Sequence, residues 1–245
     1  MLKSLKLSMA AAGLVAFAAP AMAQPLASAT SPDGKISVAV TIDGDGRASY
    51  SVARNGKTIL APSKLGFLFT DVVKIDRRLS VTGQEVKDFD ETWTQPWGEW
   101  TTIRNQHREL KVHLKETTAL ARVFTVTFRI FNDGVGFRYE FPEQPNMAET
   151  RIADELTEFA FASDATAWWK PAFLWNREEY LYNKTPLSAV ANADTPVTLK
   201  MADGTHVALH EAALIDYSGM AVARTEGNTL RAALHPGAGE AKVQK

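Results

Sequence analysis

Phe124-Thr125-Val126-Thr127-Phe128-Arg129-Ile130-Phe131-Asn132-Asp133-Gly134-Val135-Gly136-Phe137-Arg138-Tyr139-Glu140-Phe141 is the stretch whose reading decides the fold class. Phe124, Val126, Phe128 and Ile130 fall on one side of an extended chain, and after Asn132-Asp133-Gly134 the pattern resumes at Val135, Phe137, Tyr139 and Phe141. A period of two sends successive side chains to opposite faces, so each run has one face to bury. Asn-Asp-Gly supplies residues that tolerate the left-handed backbone of a tight turn. The stretch therefore reads as an antiparallel hairpin.

The same reading extends outward in both directions. Ile36, Val38, Val40 and Ile42 alternate with Ser37, Ala39 and Thr41. Asn55-Gly56 joins residues 49–53 to 57–60, and Ala202-Asp203-Gly204 joins 197–201 to 206–209, each pair a further hairpin. No long segment carries a capped period of 3.6; the best helical candidate, residues 148–161, is short. The fold class expected is all-β, with packed antiparallel sheets rather than a parallel α/β core. Neither a repeat of fixed period nor an internal linker divides the chain.

Composition narrows the chemistry. The 245 residues carry 27 Lys+Arg against 28 Asp+Glu, a formal charge of -1, which argues against a nucleic-acid-binding face. With 45% hydrophobic and 22% charged residues the chain matches a folded soluble domain rather than a disordered one. The absence of cysteine removes disulfides, thiol nucleophiles and Cys-based metal sites together. Any metal must be held by oxygen or imidazole.

Residues 1–23 read as a secretory signal peptide. Lys3 and Lys6 precede an apolar run over 7–19, and Ala21-Met22-Ala23 supplies a small-residue cleavage site before Gln24. An N-terminal membrane anchor is the alternative, but the run is shorter than the ~20 residues a spanning helix needs. The expectation is a periplasmic or secreted protein, free of the membrane after cleavage, with residues 24–245 as its mature part.

Three segments bear groups that could do chemistry. Trp93-Thr94-Gln95-Pro96-Trp97-Gly98-Glu99-Trp100 holds three indoles interrupted by Pro and Gly, near Asp88, Asp90 and Glu91. Indoles beside carboxylates suit sugars, since a ring face stacks on the C–H face of a pyranose while oxygens take its hydroxyls. Trp97 and Trp100 are thus candidate substrate contacts. The competing reading is a loop whose indoles fold back into the core with their N–H groups paired. A second cluster runs from Trp168-Trp169-Lys170-Pro171 to Trp175-Asn176-Arg177-Glu178-Glu179-Tyr180-Leu181-Tyr182. Glu178 and Glu179 are adjacent and point apart in an extended chain, so one of them at most serves a given site.

The third segment is Thr205-His206-Val207-Ala208-Leu209-His210-Glu211. A helix would give His206 and His210 zinc-ligand spacing. The preceding Asp-Gly turn and the alternation of Val207 and Leu209 favour a strand instead, which separates the imidazoles by about 13 Å at ~3.3 Å per residue. If alternation continues, Glu211 points inward and needs a cation or a hydrogen-bond donor. It too is a candidate substrate contact. The chain has no nucleophile elbow, P-loop or dinucleotide fingerprint.

Taken together, Ser31-Pro32-Asp33-Gly34, Asp90-Glu91-Thr92-Trp93 with Pro96-Trp97-Gly98-Glu99, Ile103-Arg104-Asn105, the stretch from Phe131 to Phe141, and His210-Glu211-Ala212-Ala213-Leu214-Ile215-Asp216-Tyr217 resemble the N-terminal domain of glycoside hydrolase family 97. That family comprises exported α-glucosidases and α-galactosidases acting on α-linked oligosaccharides. The resemblance implies a β-super-sandwich like that of galactose mutarotase. In the family this domain precedes a (β/α)8 barrel that carries the catalytic acids, and a small C-terminal β-domain. It also implies that residues 24–245 are the N-terminal domain alone, incomplete at its C-terminal end, with the catalytic barrel as its missing partner and no catalytic residue of its own.

One site residue carries over. In calcium-dependent members the domain lends a glutamate to a calcium ion from a Glu-Tyr-x-Tyr segment after a Trp-x-Pro motif. Trp169-Lys170-Pro171 and Glu179-Tyr180-Leu181-Tyr182 match, so the resemblance implies Glu179 as a calcium ligand. Calcium takes six to eight oxygens, so Glu179 alone would bind it weakly. The functional expectation is an accessory domain of an α-glycosidase. Two alternatives stand beside it: a stand-alone carbohydrate-binding sandwich using the Trp93/Trp97/Trp100 surface, and a mutarotase-like epimerase, which only analogy of fold suggests.

Overall fold

In the computed structural model, which describes residues 25–174, 179–235 and 242–243, the 124–141 stretch folds as a hairpin. Strands β8 (Val123–Ile130) and β9 (Val135–Glu140) pair in antiparallel register from Ile130↔Val135 to Thr125↔Glu140. The Phe131 N–H donates to the Gly134 carbonyl and closes the turn. Phe124, Val126, Phe128 and Ile130 are buried. The signal-peptide segment, and Trp175 to Glu178 of the second Trp cluster, lie outside the described residues.

Four hydrogen-bonded sheets are formed by the described residues, where the sequence pattern alone predicts two packed antiparallel sheets. The first is the meander β1 (Ala27–Thr30), β2 (Ile36–Ile42), β3 (Ala48–Arg54) and β4 (Lys57–Lys64). After the short β5 (Phe67–Phe69), a second meander links β6 (Leu79–Thr94), β7 (Thr102–Glu116), β8 and β9. Between these two sheets lies an aromatic core: the Tyr50 ring is 5.0 Å from Phe137 and 5.9 Å from Phe128. β5 pairs with β10 (Thr150–Glu155) and brings Phe67 edge-on to Tyr139 at 4.6 Å.

The largest sheet runs in the order β11 (Glu158–Ala160), β17 (Thr229–Leu234), β16 (Met220–Arg224), β14 (Asn192–Met201), β12 (Ala165–Pro171), β13 (Asn183–Pro186), with β15 (His206–Leu209) also paired to β14. β18 (Lys242–Val243) pairs with β10. The first sheet meets the largest through a bridge between Leu60 and Phe161, supported by the Ala160 N–H donating to Ser63 Oγ at 2.9 Å. The hairpins around Asn55-Gly56 and Ala202-Asp203-Gly204 form where the sequence predicts them.

The helical candidate at 148–161 is instead β10 and β11. Glu155, Thr157, Phe159 and Phe161 are all buried, with half-buried residues between them, which is a period of two. Polar side chains at two of the inward positions hide that alternation from a hydropathy reading. Among the described residues the only helical turns are the short 3-10 segments Pro145–Met147 and Leu187–Ala189. No described helix is long and apolar enough to cross a membrane.

Candidate functional site at one end of the largest sheet

Strand register fixes where the candidate residues go. Pro171 pairs with Ala193, Asp194 with Ala221, and Met220 with Leu234, so four strand ends of the largest sheet converge. Just beyond them, the Ala172 N–H donates to the Asn192 carbonyl and the His235 N–H to the Gly219 carbonyl. The Phe173 ring lies 4.9 Å from His235, whose Nε2 is 3.2 Å from Asp194 Oδ1. Glu179 follows on the 172–182 segment and is exposed.

The loop over 210–219 covers the same end. Glu211, half-buried, accepts the Met220 N–H at 3.1 Å through Oε2. β15 ends at Leu209, so the alternation does not reach Glu211; its carboxylate is nonetheless satisfied by a backbone donor. His210 Nδ1 is 3.0 Å from Thr195 Oγ1, which itself donates to the Met220 carbonyl. His206 is in β15 and His210 just past its end, so the histidines follow the strand reading. Ser218 Oγ donates to the His235 carbonyl, and Tyr217 Oη donates to Glu155 Oε2 at 2.9 Å.

That last bond pins the loop to a buried polar chain. Thr157 Oγ1 donates to Glu155 Oε1 at 2.6 Å and lies 2.6 Å from Tyr139 Oη. Burial pushes the Glu155 carboxyl above its usual range, although both hydroxyl donors pull it back. Burial, and then the neighbouring Glu155 charge, push the Tyr217 phenol up as well. No local sequence pattern signals this network, since Glu155 and Tyr217 are 62 residues apart. Above it the loop leaves Ile215 80% exposed, and the 172–182 segment leaves Leu181 92% exposed. Leu214, Phe173, Leu174 and Tyr182 are exposed too. The exposed Glu179 and Leu181 thus lie on the β12–β13 connection, and the exposed Leu214 and Ile215 on the β15–β16 connection.

Trp97 and Trp100 are elsewhere. β6 and β7 pair from Leu79↔Glu116 to Thr94↔Thr102, whereas β8 accompanies β7 only as far as Ile130↔Arg108. Beyond Arg108 the ribbon is two-stranded. Two bidentate pairs brace it: Arg108 with Asp88 (2.6 and 3.1 Å) and Arg104 with Asp90 (2.8 and 2.6 Å). At its tip Gln95 Nε2 donates to the Trp100 carbonyl at 2.8 Å, and the Gln95 N–H donates to the Thr101 carbonyl. Gly98 adopts φ +114° there, and a Cβ on it would stand 2.7 Å from Gln95 Nε2.

The reading in which these indoles bury is overturned. Trp97 is 82% and Trp100 71% exposed, and Trp93 is exposed as well. A two-stranded ribbon has no core face to receive them, so each forgoes about 2 kcal/mol of burial. In the second cluster the outcome is the opposite: Trp169 is buried with Nε1 donating to Thr185 Oγ1 at 3.0 Å, and Lys184 lies over the Trp168 ring. The sequence candidates therefore occupy two sheets. Glu179 and Glu211 share one sheet end, and Trp97 and Trp100 share the arm.

Among the described residues, no three His, Asp or Glu side chains gather where they could hold a metal. Glu179 offers one exposed carboxylate and no shell around it. A calcium ion needs six to eight oxygens, so among the described residues this single carboxylate is not a complete cation site.

Comparison with known proteins agrees with this architecture. Residues 29–242 match the family model described as glycosyl-hydrolase 97 N-terminal. A glycoside hydrolase family 97 enzyme from Pseudoalteromonas sp. strain K8, solved in complex with acarbose, superposes with a TM-score of 0.85 at 39% identity, over 89% of this chain and 33% of that one. A variant of that enzyme was solved with panose. A retaining alpha-galactosidase of Bacteroides thetaiotaomicron is 24% identical over 220 residues, covering 84% of this chain and 31% of its own length. The chain spans about a third of the length of these relatives.

Proposed function

The chain belongs to the glycosyl-hydrolase 97 N-terminal family, and from that premise we propose that it is the accessory domain of an exported α-glycosidase, packing on a catalytic barrel and hydrolysing nothing by itself. The observation that supports this reading is the set of uncovered apolar side chains, Leu181 on the β12–β13 connection that also carries the exposed Glu179, and Ile215 on the β15–β16 connection. A seam between domains needs an apolar contact surface of that kind. The relatives' names, a retaining alpha-galactosidase and an enzyme solved with acarbose and with panose, support a glycoside substrate, and their greater length leaves room for the barrel.

Glu179 is the residue this chain would lend to calcium at the seam. When bound, calcium would act there as a Lewis acid and an anchor for substrate oxygens. The chain's own share is to hold one carboxylate at the domain boundary.

Hydrolysis of p-nitrophenyl α-glucoside and α-galactoside with calcium present tests the reading. The 245-residue chain is expected to give no turnover, and clear turnover would overturn the accessory role. Calorimetric titration with calcium is expected to give weak binding, whereas a tight, stoichiometric site on this chain alone would remove the shared shell.

A further inference from the structure

We propose that the arm formed by β6 and β7 is an oligosaccharide-binding element, with Trp97 and Trp100 as its stacking platforms and the depression beside Phe89 as a flanking subsite. The inference rests on the reading that this protein serves an enzyme of α-linked sugars, and it adds a second binding surface on a sheet other than the one that carries Glu179.

The tip is built to present its indoles. Pro96, the Gln95 amide clamp and the close approach at Gly98 order the turn, yet both rings face solvent. Further down the arm, Trp93 and Phe89 share one side of the ribbon by alternation. Phe89 stacks on the buried His107 ring at 4.9 Å and lines an open depression of about 280 Å³ together with Glu85, Lys87, Glu109 and Lys111. That volume lies just below the ~300 Å³ lower end of ligand pockets, so the depression is shallow and takes a small group.

The mixture of groups selects the occupant. A protein docking flat on this arm would have to desolvate the Asp88–Arg108 and Asp90–Arg104 pairs and the charged lining of the depression, which is costly. A pyranose needs no such desolvation. Its C–H face covers an indole while its hydroxyls exchange water for partners such as the exposed Glu85 and Lys87, which keep contact with solvent. Isolated aromatic rings set among charges fit a hydroxylated ligand better than a continuous apolar surface.

Titration of the 245-residue chain with maltotetraose and maltoheptaose, followed by calorimetry and tryptophan fluorescence, tests the proposal. The expected result is saturable binding that Trp97→Ala and Trp100→Ala each weaken about tenfold or more, as hot-spot indoles do, with the unfolding midpoint unchanged and with Trp97→Phe keeping most of the affinity. Absence of binding by the wild type overturns it, as does binding that neither alanine variant alters. So does a dimer that Trp97→Ala dissolves in the absence of any sugar binding. The hydrolysis assay reports on the accessory role separately, so failure of one reading leaves the other distinguishable.

Discussion

Arg122 and Glu116 form a fully buried, bidentate ion pair: Nε to Oε2 at 2.7 Å and Nη2 to Oε1 at 2.8 Å, with side chains 0% and 3% exposed. The Glu116 N–H also donates to the Arg122 carbonyl, and Arg122 Nη2 reaches the Lys74 carbonyl. The pair therefore ties the β7–β8 connection to the segment leading into β6. Arg122 Nη1 is buried without a partner, so the geometry is good but incomplete.

Removing one partner leaves an uncompensated buried charge, which costs about 3–5 kcal/mol, whereas replacing both with apolar groups of similar size is close to neutral. Arg122→Met is expected to lower stability by that amount and Arg122→Met with Glu116→Leu by much less. Urea denaturation of the two variants measures the difference. Equal losses would show that the pair contributes net attraction rather than mutual neutralisation.

Glu155 sets a pH dependence of definite sign. Burial raises its pKa above the ordinary 4.5. A carboxyl that holds its proton more tightly when folded adds stability that is full below the unfolded pKa and is lost as the pH rises through the folded one. Glu155→Gln keeps a neutral group of the same shape and removes that titration. Relative to wild type, the variant is expected to gain stability as the pH climbs from 4.5 toward neutrality. Denaturation midpoints across that range check it, and a difference independent of pH would show that Glu155 does not titrate in the window.

The strands are legible in the sequence because most are half-buried, and a half-buried strand writes its inner face as alternating apolar letters. Val38, Val40, Val126 and Phe128 are examples. β10 and β11 are not legible, since Glu155 and Thr157 stand at inward positions and are made tolerable by hydroxyls from Tyr139 and Tyr217, which belong to other elements. Exposure of Trp97 and Trp100 is illegible for a different reason. An arm and a buried hairpin have the same local pattern, and only the end of the β7–β8 pairing at Arg108 distinguishes them. Glu179 comes from a family motif and not from any periodicity.

Two glycines with left-handed backbone separate conformational from steric cost. Gly204 has φ +85° and open space where a Cβ would stand, so Gly204→Ala carries only the backbone cost, about 1–2 kcal/mol. Gly46 has φ +76°, and a Cβ there would sit 2.7 Å from Arg78 Cα and N and 2.8 Å from Leu79 N. Those are backbone atoms held by the Leu79 N–H donating to the Gly46 carbonyl. Gly46→Ala is expected to cost about 1–3 kcal/mol more than Gly204→Ala, the usual range for overpacking. Thermal melts of the two variants side by side give the comparison, and equal losses would mean that the Gly46 turn yields easily.

The uncovered end of the largest sheet predicts how the isolated chain behaves. Ile215 and Leu181 are almost fully in water, and Leu214, Phe173 and Leu174 belong to the same two segments. Large apolar side chains left in water drive association. The chain is expected to self-associate in sedimentation velocity, in proportion to its concentration. Ile215→Asp with Leu181→Asp places charges where burial would be costly and should shift the population toward monomer, without loss of the unfolding midpoint, because neither side chain is part of the core. The same pair of substitutions leaves the arm untouched, so oligosaccharide binding is expected to persist in the monomeric variant. A wild-type chain that stays monomeric at every concentration tested would show that this face needs no cover, and would remove the main support for a domain seam there.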